Sequence, residues 1–385
     1  MIDAMILFCL AAIALPFVAY PALLWLHARM APVEILRDDS TPEVDLVIAA
    51  HDEAESIAAR IENALTLDYP RERLHVWIAS DGSQDDTVAI ARRYAEQGVR
   101  VLDLPRGGKA AALVSAVEAG SAEILAFSDA NSDWQPDALR ALVRSFADPA
   151  VGGVAGDQRY VEGTEEAAGE RSYWSFDRLL KRWQSRAGNA ISATGAIHAI
   201  RRELFEAPPA DATDDFMIST GVIARGRRLV FEEDAVALEP PAPATGSEYR
   251  RKVRITTRGL RAVLHRRALL DPRRTGLYAL ELAVHKVWRR QTWLPLLGLV
   301  ALAPFATWPE AKLAFVAWGA AAATLIGAAG LAWPALLRSR PIALASYVVM
   351  VNAACARATV NVLRGERVSR WDSERADPLA SGAAR

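Results

Sequence analysis

The chain is poor in cysteine and has almost no net charge. Only Cys9 and Cys355 occur among its 385 residues, and both lie inside long apolar runs. Two such residues cannot form a disulfide framework or a cysteine-based zinc site. The 45 Lys and Arg residues nearly balance the 46 Asp and Glu residues. This balance disfavours a nucleic-acid-binding protein, because such domains carry a large basic excess.

The overall composition is that of a folded protein, but its apolar residues are unevenly distributed. The first apolar run, from Ile2 to Leu26, is long enough to cross a bilayer, which takes about 20 residues. Arg29 and Arg37 follow this run, which predicts an external N-terminus and a cytoplasmic remainder. We therefore predict a transmembrane helix over residues 1–28, with a buried helix of a soluble domain as the alternative.

Three further apolar runs lie near the other end of the chain. They extend from Thr292 to Trp308, from Leu313 to Trp333 and from Ile342 to Leu363. They predict about three transmembrane helices within residues 291–364, followed by a flexible tail over 365–385. The positive-inside rule does not fix the topology of these helices, because arginines occur on both sides of the last run.

The region between the apolar ends alternates short apolar strands with helical stretches, which predicts an α/β domain with a mainly parallel sheet. The predicted elements are a strand over Val44–Ala50, a helix over Glu53–Leu65, a strand over Leu74–Ala79, a helix over Asp85–Gln97, a strand over Val99–Leu102, a helix over Lys109–Ala119 and a strand over Ile124–Phe127.

Polar clusters follow three of these strands. They are His51-Asp52-Glu53, Asp81-Gly82-Ser83 and Asp129-Ala130-Asn131. Ligands of parallel sheets bind beyond the carboxyl ends of the strands, so the clusters predict a binding site at this edge. Helix caps, an ordinary turn and a loop are the alternatives for the individual clusters. Asp81 and Asp129 are hard oxygen ligands that suit Mg²⁺ or Mn²⁺, which would neutralise a diphosphate.

Two other segments carry candidate chemistry. Gly107-Gly108-Lys109 precedes a helix, where glycines permit close backbone approach and the helix start favours an anion. It is weak by itself and is not a Walker loop. Thr213-Asp214-Asp215 precedes another helix and provides either a helix cap or a general base, since one of two adjacent acids can have a raised pKa.

Taken in order, these motifs resemble the family 2 glycosyltransferases with a GT-A fold, over roughly residues 44 to 268. The segments that carry the resemblance are Val47–Glu53, Asp81–Thr87 as D-G-S-x-D-x-T, Gly107–Ala110 as G-K-[AG]-x-A, Asp129–Asn131 as a D-x-D variant, Thr194–Ala196 followed by Arg201-Arg202, and Thr213–Asp215 as T-E-D. Any one of them is weak, whereas the ordered set is specific.

The resemblance implies roles for individual residues. It implies Asp215 as the catalytic base, and Asp129 and Asn131 as metal ligands for Mg²⁺ or Mn²⁺. The implied donor and nucleotide contacts are Ala50, His51, Asp52, Glu53, Asp81, Lys109, Asp129 and Arg254. The implied acceptor-side residues are Thr194, Gly195 and Asp214.

The C-terminal part of the resemblance is incomplete. Processive synthases of the family carry Q-x-x-R-W, and the counterpart here, Arg251–Ile255, lacks both Gln and Trp. Processive synthesis is therefore doubtful, although Arg254 can still contact the leaving diphosphate. Residues 246–290 are basic, with apolar residues at helical spacing, which predicts amphipathic helices on an anionic membrane surface. A solvated basic face is the alternative.

These observations together predict a GT-A domain over residues 42–245, in an α/β chain flanked by transmembrane and interface helices. The expected enzyme is an inverting, metal-dependent hexosyltransferase that transfers a sugar from a nucleotide sugar, with UDP the expected nucleotide, to a lipid-linked or membrane-held glycan. It is expected to be a multi-pass protein of the inner membrane with a cytoplasmic catalytic domain, in cell-envelope polysaccharide biosynthesis. The alternatives are a processive exopolysaccharide synthase and a non-catalytic membrane sensor of nucleotide sugars.

Overall fold

The computed structural model describes residues 1–160, 168–239, 248–306 and 311–367. The chain begins with one helical run, formed by α1 (Ile2–Ala14), a π-helical segment (Leu15–Ala19) and α2 (Tyr20–Met30). Pro16 lies in the π-helical segment. Proline lacks an N–H group and clashes with the preceding turn, so the hydrogen-bonding pattern changes there while the helix continues.

The central domain is built on an eight-stranded sheet. The strands are β1 (Val44–Ala50), β2 (Leu74–Asp81), β3 (Arg100–Leu104), β4 (Ile124–Asp129), β5 (Asp133–Trp134), β6 (Val151–Tyr160), β7 (His198–Arg201) and β8 (Arg228–Glu239). The helices of this domain are α3 (Ile57–Leu65), α4 (Thr87–Arg92), α5 (Lys109–Ala119), α6 (Ala138–Val143), α7 (Ala168–Ala187) and α8 (Asp214–Ala224).

The strand order is β3-β2-β1-β4-β7-β6-β8-β5. The first four strands are parallel, and β7 then joins β4 in antiparallel orientation. The sheet is therefore mixed, with a parallel half that confirms the predicted α/β fold class. Every residue of β1 is buried, as expected for a parallel strand covered on both faces.

Asp45 is the one charged residue in β1, and it has several partners. Its carboxylate accepts hydrogen bonds from Trp77 Nε1 at 2.9 Å and from the Ala122 backbone N–H at 3.0 Å. It also pairs with Arg202. A buried carboxylate persists when it is paired and hydrogen-bonded, so these contacts explain a charged residue in the core.

Two predicted helices are shorter than expected. The helix predicted from Glu53 begins at Ile57, and the helix predicted over Asp85–Gln97 reduces to α4 and a short 3₁₀ turn. The Glu53 backbone N–H donates to Thr87 Oγ1 at 2.8 Å, and the Ala54 N–H donates to Asp85 Oδ2 at 3.0 Å. These bonds hold the two loops together in a non-helical conformation.

After the central domain the described chain is helical. Its helices are α9 (Glu248–His265), α10 (Pro272–Thr275), α11 (Leu277–Glu281), a π-helical segment (Leu282–Val287), α12 (Trp293–Leu302), α13 (Ala311–Ala332) and α14 (Arg340–Leu363). Leu264, Leu277 and Leu280 are exposed between α9 and α11. Most of the predicted flexible tail lies outside the described residues.

Three helices of the described chain are long and apolar enough to cross a membrane, namely Ile2–Met30, Ala314–Ala332 and Arg340–Leu363. A fourth apolar helix, Trp293–Phe305, is shorter. Polar residues of α14 serve helix packing, since Asn361 Nδ2 donates to Thr257 Oγ1 at 3.4 Å and Asn352 Oδ1 accepts from Thr292 Oγ1 at 3.1 Å. These contacts join α14 to α9 and to the start of α12.

Candidate active site

The parallel half of the sheet brings three predicted clusters to one edge. In the sheet register, Ala49 of β1 pairs with Asp129 of β4, and Ala50 pairs with Ser80 of β2. His51, Asp81 and Asp129 therefore follow or end neighbouring strands at the same edge. The expectation from strand order is met because carboxyl ends of parallel strands coincide.

Asp52 lies in a loop that is fixed by the neighbouring cluster. Its Oδ1 accepts from the Gln84 N–H at 2.7 Å, and its own N–H donates to Ser83 Oγ at 3.2 Å. Its φ of 50° is the only positive value among the described non-glycine residues. Such a conformation costs free energy and is found mainly where the surroundings impose it, often at functional sites. Its hydrogen bonds run to the β2 loop, so it is not a cap for α3.

Asp81 organises the glycine-containing loop that precedes α5. Its Oδ1 accepts from the Gly107 N–H at 2.6 Å and from the Gly108 N–H at 2.8 Å, and its Oδ2 lies 3.0 Å from Arg106 Nη1. Gly108 has a φ of 89°, a value that residues with a Cβ rarely adopt. The motif residue predicted to contact the nucleotide thus also holds the loop that starts α5.

Lys109, the first residue of α5, connects two acidic residues from distant parts of the chain. Its Nζ lies 2.5 Å from Asp129 Oδ1 and 3.1 Å from Asp214 Oδ2. Burial by itself favours a neutral amine, but the carboxylates of Asp129 and Asp214 raise the pKa of Lys109 above its ordinary value. The ammonium therefore joins the strand edge to the start of α8.

Asp214 and Asp215 begin α8 and have different electrostatic surroundings. Burial raises the pKa of Asp214, but nearby Lys109 outweighs this and holds it below the usual range. Burial and the charge of Asp214 raise the pKa of Asp215 to about 6. Thr213, the residue before α8, makes no side-chain capping bond, whereas Asp215 Oδ1 accepts from the Phe216 N–H at 2.7 Å.

The edge also offers oxygen ligands of the kind that Mg²⁺ and Mn²⁺ prefer. Asp129 has a side chain that is 31% exposed, and Asn131 is partly exposed. Gly195 lies directly against this carboxylate, because a Cβ at that position would come within 2.6 Å of Asp129 Oδ2. The described residues contain no group of three or more His, Cys, Asp or Glu residues suited to a metal. Two protein oxygens fit a cation that takes its other ligands from water and substrate phosphates.

The other predicted residues lie around this centre. Thr194 is buried, and its backbone oxygen lies 2.8 Å from His198 Nδ1. Arg254 lies in α9, one turn before Arg258. Arg258 Nη2 donates to the Ala212 oxygen at 2.5 Å, close to the start of α8. Residues one helical turn apart share a face, so Arg254 lies on the side of α9 that faces this region.

Two residues of the site were missed by the sequence analysis. His198 stacks on Phe127 with ring centroids 4.9 Å apart, and burial lowers its pKa to about 4. His198 Nδ1 donates to the Thr194 backbone oxygen, so Nε2 of the neutral ring is an acceptor. This Nε2 atom is buried and has no hydrogen-bond partner among the described residues. Glu239 ends β8, and burial together with Asp129 raises its pKa to about 7. A polar residue ending a strand was the available signal for Glu239.

Comparison with known proteins gives a family match for part of the chain. Residues 45–207 match the model of glycosyl transferase family 2. A β-monoglucosyldiacylglycerol synthase from Synechocystis sp. is 33% identical over 132 residues, which are 32% of this chain and 28% of that protein. An N-acetylglucosaminyltransferase from Rhizobium sp. is 22% identical over 268 residues, which are 64% of this chain and 59% of that protein. The matches thus span between about a quarter and three fifths of these relatives.

A solved structure is similar over nearly the whole chain. It is a mannosyltransferase from Pyrobaculum calidifontis in complex with GDP-Man and Mn²⁺. The TM-score is 0.73 at 24% sequence identity, and the match covers 95% of this chain and 100% of that one. This likeness confirms the expected GT-A type of fold.

Proposed function

We propose that the chain, whose residues 45–207 match glycosyl transferase family 2, is a membrane-bound inverting glycosyltransferase. Its donor is a nucleoside diphosphate sugar, and its acceptor is a lipid-linked or membrane-held glycan. The observation that carries the proposal is the Lys109 ammonium between Asp129 and Asp214. This contact joins the edge of the sheet at Asp129 to Asp214, the residue before Asp215. We call this edge the donor edge, because the donor is proposed to bind there.

Asp215 serves as the general base in this proposal. A pKa of about 6 leaves its carboxylate ionised at neutral pH yet more basic than an ordinary aspartate. It takes the proton from the acceptor hydroxyl as that oxygen attacks the anomeric carbon, while the bond to the diphosphate breaks on the opposite face. Asp214 keeps its charge on Lys109, so the two adjacent acids have separate tasks.

The donor is held by the strand edge. Ala50, His51, Asp52, Glu53 and Asp81 contact the nucleotide in the proposal, and Lys109 and Arg254 offset negative charge on the diphosphate. Asp129 and Asn131 hold Mg²⁺ or Mn²⁺, which supplies positive charge to the departing diphosphate when bound. The Mn²⁺ and GDP-Man bound by the similar mannosyltransferase support a divalent cation in this proposal, and they are a reason to consider GDP-sugars as well as UDP-sugars as candidate donors.

The acceptor side is proposed around Thr194, Gly195 and Asp214. A membrane location is supported by the three candidate spans and by the diacylglycerol-modifying name of one relative. In this proposal the catalytic domain is cytoplasmic, the chain crosses the inner membrane, and residues 246–290 lie on the membrane surface. Exposed Leu264, Leu277 and Leu280 suit that surface, since amphipathic helices insert such side chains among lipid headgroups.

The test is release of nucleoside diphosphate by the purified chain in detergent with native lipid. UDP- and GDP-sugars are offered with Mn²⁺ or Mg²⁺ and with chelator. We expect metal-dependent release from one donor and its near-complete loss in Asp215→Asn, because general-base help contributes about 10²–10⁴ in rate. Asp103→Asn, an exposed residue paired with Arg92, is the matched control and keeps activity. More than a tenth of wild-type turnover in Asp215→Asn contradicts the assignment of the base.

A further inference from the structure

The loop that carries Gly195 is held by a buried side chain on each side of that glycine. Trp134 Nε1 donates to the Ala196 oxygen at 2.9 Å, and His198 Nδ1 donates to the Thr194 oxygen at 2.8 Å. Trp134 is 1% exposed and His198 is 2% exposed, so water does not compete for these hydrogen bonds. Both carbonyl groups that flank Gly195 are therefore fixed in place.

Gly195 itself packs against the carboxylate of Asp129. A Cβ at this position would lie 2.6 Å from Oδ2, 3.1 Å from Oδ1 and 3.2 Å from Cγ, so the glycine covers the flat face of the carboxylate. Gly195 is not among the described glycines with positive φ, so space and not backbone conformation requires a glycine here. Lys109 Nζ lies 2.5 Å from Oδ1. The carboxylate is thus confined between an ammonium and a fixed segment of backbone.

Trp134 is a rigid anchor for this loop, because side chains of α3 hold it. Asn63 Oδ1 accepts from the Trp134 N–H at 3.0 Å, and Asn63 Nδ2 donates to the Trp134 oxygen at 2.8 Å. Arg60 Nη1 donates to the same Asn63 oxygen at 2.6 Å, and its guanidinium carbon lies 5.1 Å from the centre of the Trp134 ring. Arg60 Nε also donates to Ser128 Oγ at 3.1 Å, one residue before Asp129. The strand end at Asp129 and the indole that holds the loop therefore belong to one hydrogen-bonded group.

The same loop contacts the helix that carries the proposed base. The Ala193 N–H donates to Ser219 Oγ at 3.0 Å, and this hydroxyl donates to the Asp215 backbone oxygen at 2.6 Å. Ser219 is fully buried. The loop is therefore packed between the strand end at Asp129 and the first turns of α8, and its position matters to both.

We propose that Trp134 and His198 are positioning residues that hold Gly195 against Asp129 and so fix the orientation of this carboxylate for a divalent cation. Each acts through a backbone carbonyl group of the loop, without contact to substrate. The inference rests on the proposed role of Asp129 as a metal ligand and adds the groups that orient it. Groups that orient a ligating carboxylate commonly affect metal affinity. The alternative is that the two hydrogen bonds contribute only to overall stability.

Amide hydrogen exchange of the full chain in detergent, measured by mass spectrometry, tests whether these bonds hold the loop. Trp134→Phe keeps a buried ring and the backbone bonds to Asn63 but lacks the indole N–H. We expect peptides over residues 192–197 to exchange about fivefold faster in this variant, which is the factor that one typical hydrogen bond contributes. Unchanged exchange in β1 shows that the variant is folded.

Trp77→Phe is the matched control for Trp134→Phe. Trp77 is also a buried tryptophan, and its Nε1 donates to Asp45 Oδ1 at 2.9 Å. Asp45 lies near the start of β1, away from the donor edge. We expect Trp77→Phe to leave the exchange of residues 192–197 unchanged, because its lost hydrogen bond does not involve this loop.

Donor binding in Mn²⁺ and in chelator tests whether the loop acts on the cation. We expect Trp134→Phe to raise the Mn²⁺ concentration for half-maximal donor binding about fivefold. Binding in chelator should stay unchanged, since the loops at Asp52 and Asp81 keep their hydrogen bonds. A loss of stability alone would lower the fraction of folded protein and weaken binding equally in both conditions. Trp77→Phe is expected to keep the wild-type Mn²⁺ requirement.

His198 provides an independent test from the other side of Gly195. His198→Phe keeps a ring that can stack on Phe127 but removes the N–H, so it should produce the same two changes as Trp134→Phe. His198→Asn places a side-chain N–H near the position of Nδ1. We expect this variant to return the exchange of the loop and the Mn²⁺ requirement towards their wild-type values.

Unchanged exchange of residues 192–197 in both Trp134→Phe and His198→Phe overturns the inference. Faster exchange with an unchanged Mn²⁺ requirement overturns it too, as does equal weakening of donor binding in Mn²⁺ and in chelator. Nucleoside diphosphate release is measured separately. If the wild type releases none, while Mn²⁺-dependent donor binding changes in the variants as expected, the proposed transferase fails and the positioning role remains.

Discussion

Asp214 and Asp215 are adjacent in the chain, yet their pKa values move in opposite directions. The Asp214 carboxylate lies 3.1 Å from Lys109 Nζ, and this contact holds its pKa below the ordinary value. Asp215 is buried beside the charged Asp214, and its pKa rises to about 6. A pair of acids separated in this way supplies one fixed charge and one base that works near neutral pH.

The first prediction concerns the pH dependence of transfer. The base form of Asp215 is required, and a raised pKa means that this form is lost as the pH falls through about 6. We expect kcat/KM to be constant above pH 7 and to fall about tenfold per pH unit below 6. Initial rates of nucleoside diphosphate release between pH 5 and 8 measure this profile.

Asp214→Asn provides the control for that profile. Removing the negative neighbour lowers the pKa of Asp215, so the residual activity should decline at a lower pH than in the wild type. If the decline came from a titrating group elsewhere in the protein, that group would keep its pKa in this variant and the decline would occur at the same pH. A decline at the same pH in both proteins would exclude Asp215 as its source.

The second prediction concerns the stability role of Lys109. Its side chain is 15% exposed and neutralises two acids. Lys109→Met leaves Asp129 and Asp214 without this cation, and breaking a buried pair costs about 3–5 kcal/mol. We expect a lower free energy of unfolding for the purified variant in urea, together with weaker donor binding. Since the pKa of Asp214 should rise without Lys109, the stability loss should be smaller at pH 5 than at pH 8.

Arg92→Met is the comparison for Lys109→Met. Arg92 forms an exposed pair with Asp103, and exposed pairs contribute about 0–1 kcal/mol. If the free energy of unfolding falls equally in the two variants, the Lys109 contacts contribute no more to stability than an exposed ion pair does.

The sequence allowed the donor edge to be predicted because a simple geometric rule governs it. Parallel strands β1, β2 and β4 end together, so the residues after them meet whatever the details of packing. His51, Asp81 and Asp129 therefore followed from the strand pattern, and the family resemblance supplied their expected roles. The family resemblance was confirmed over residues 45–207 and the fold class was confirmed, while the roles of individual residues stay predictions.

The residues that were missed depend on contacts between distant segments. His198 becomes notable only because β7 lies beside β4, which places the ring on Phe127. The buried contact between His285 and Asp177 likewise arises only because α7 packs against the π-helical segment Leu282–Val287. Neither contact has a local pattern in the sequence. The early start predicted for α3 failed for a similar reason, since the Glu53 N–H bonds to Thr87 of another loop.

The third prediction concerns Gly195. A Cβ at this position would lie 2.6 Å from Asp129 Oδ2, so Gly195→Ala must displace the carboxylate. We expect the concentration of Mn²⁺ needed for half-maximal donor binding to rise at least tenfold, with little change in secondary structure by circular dichroism. Gly319→Ala is the matched control, because a Cβ there meets nothing within 4 Å. An unchanged Mn²⁺ requirement in Gly195→Ala would separate this glycine from the metal site.

The last prediction concerns Asp129 itself, which is proposed to serve both Lys109 and the metal. Asp129→Ala removes a carboxylate ligand but leaves Asp214 to pair with Lys109. We therefore expect the metal-dependent part of donor binding to disappear, while weak metal-independent binding remains through the loops at Asp52 and Asp81. Calorimetric titration with the donor, in Mn²⁺ and in chelator, measures both parts. Asp133→Ala, an exposed position on the neighbouring strand β5, should keep the difference between Mn²⁺ and chelator. If Asp129→Ala keeps it too, the cation is held by other residues and the assignment of Asp129 as its ligand is wrong.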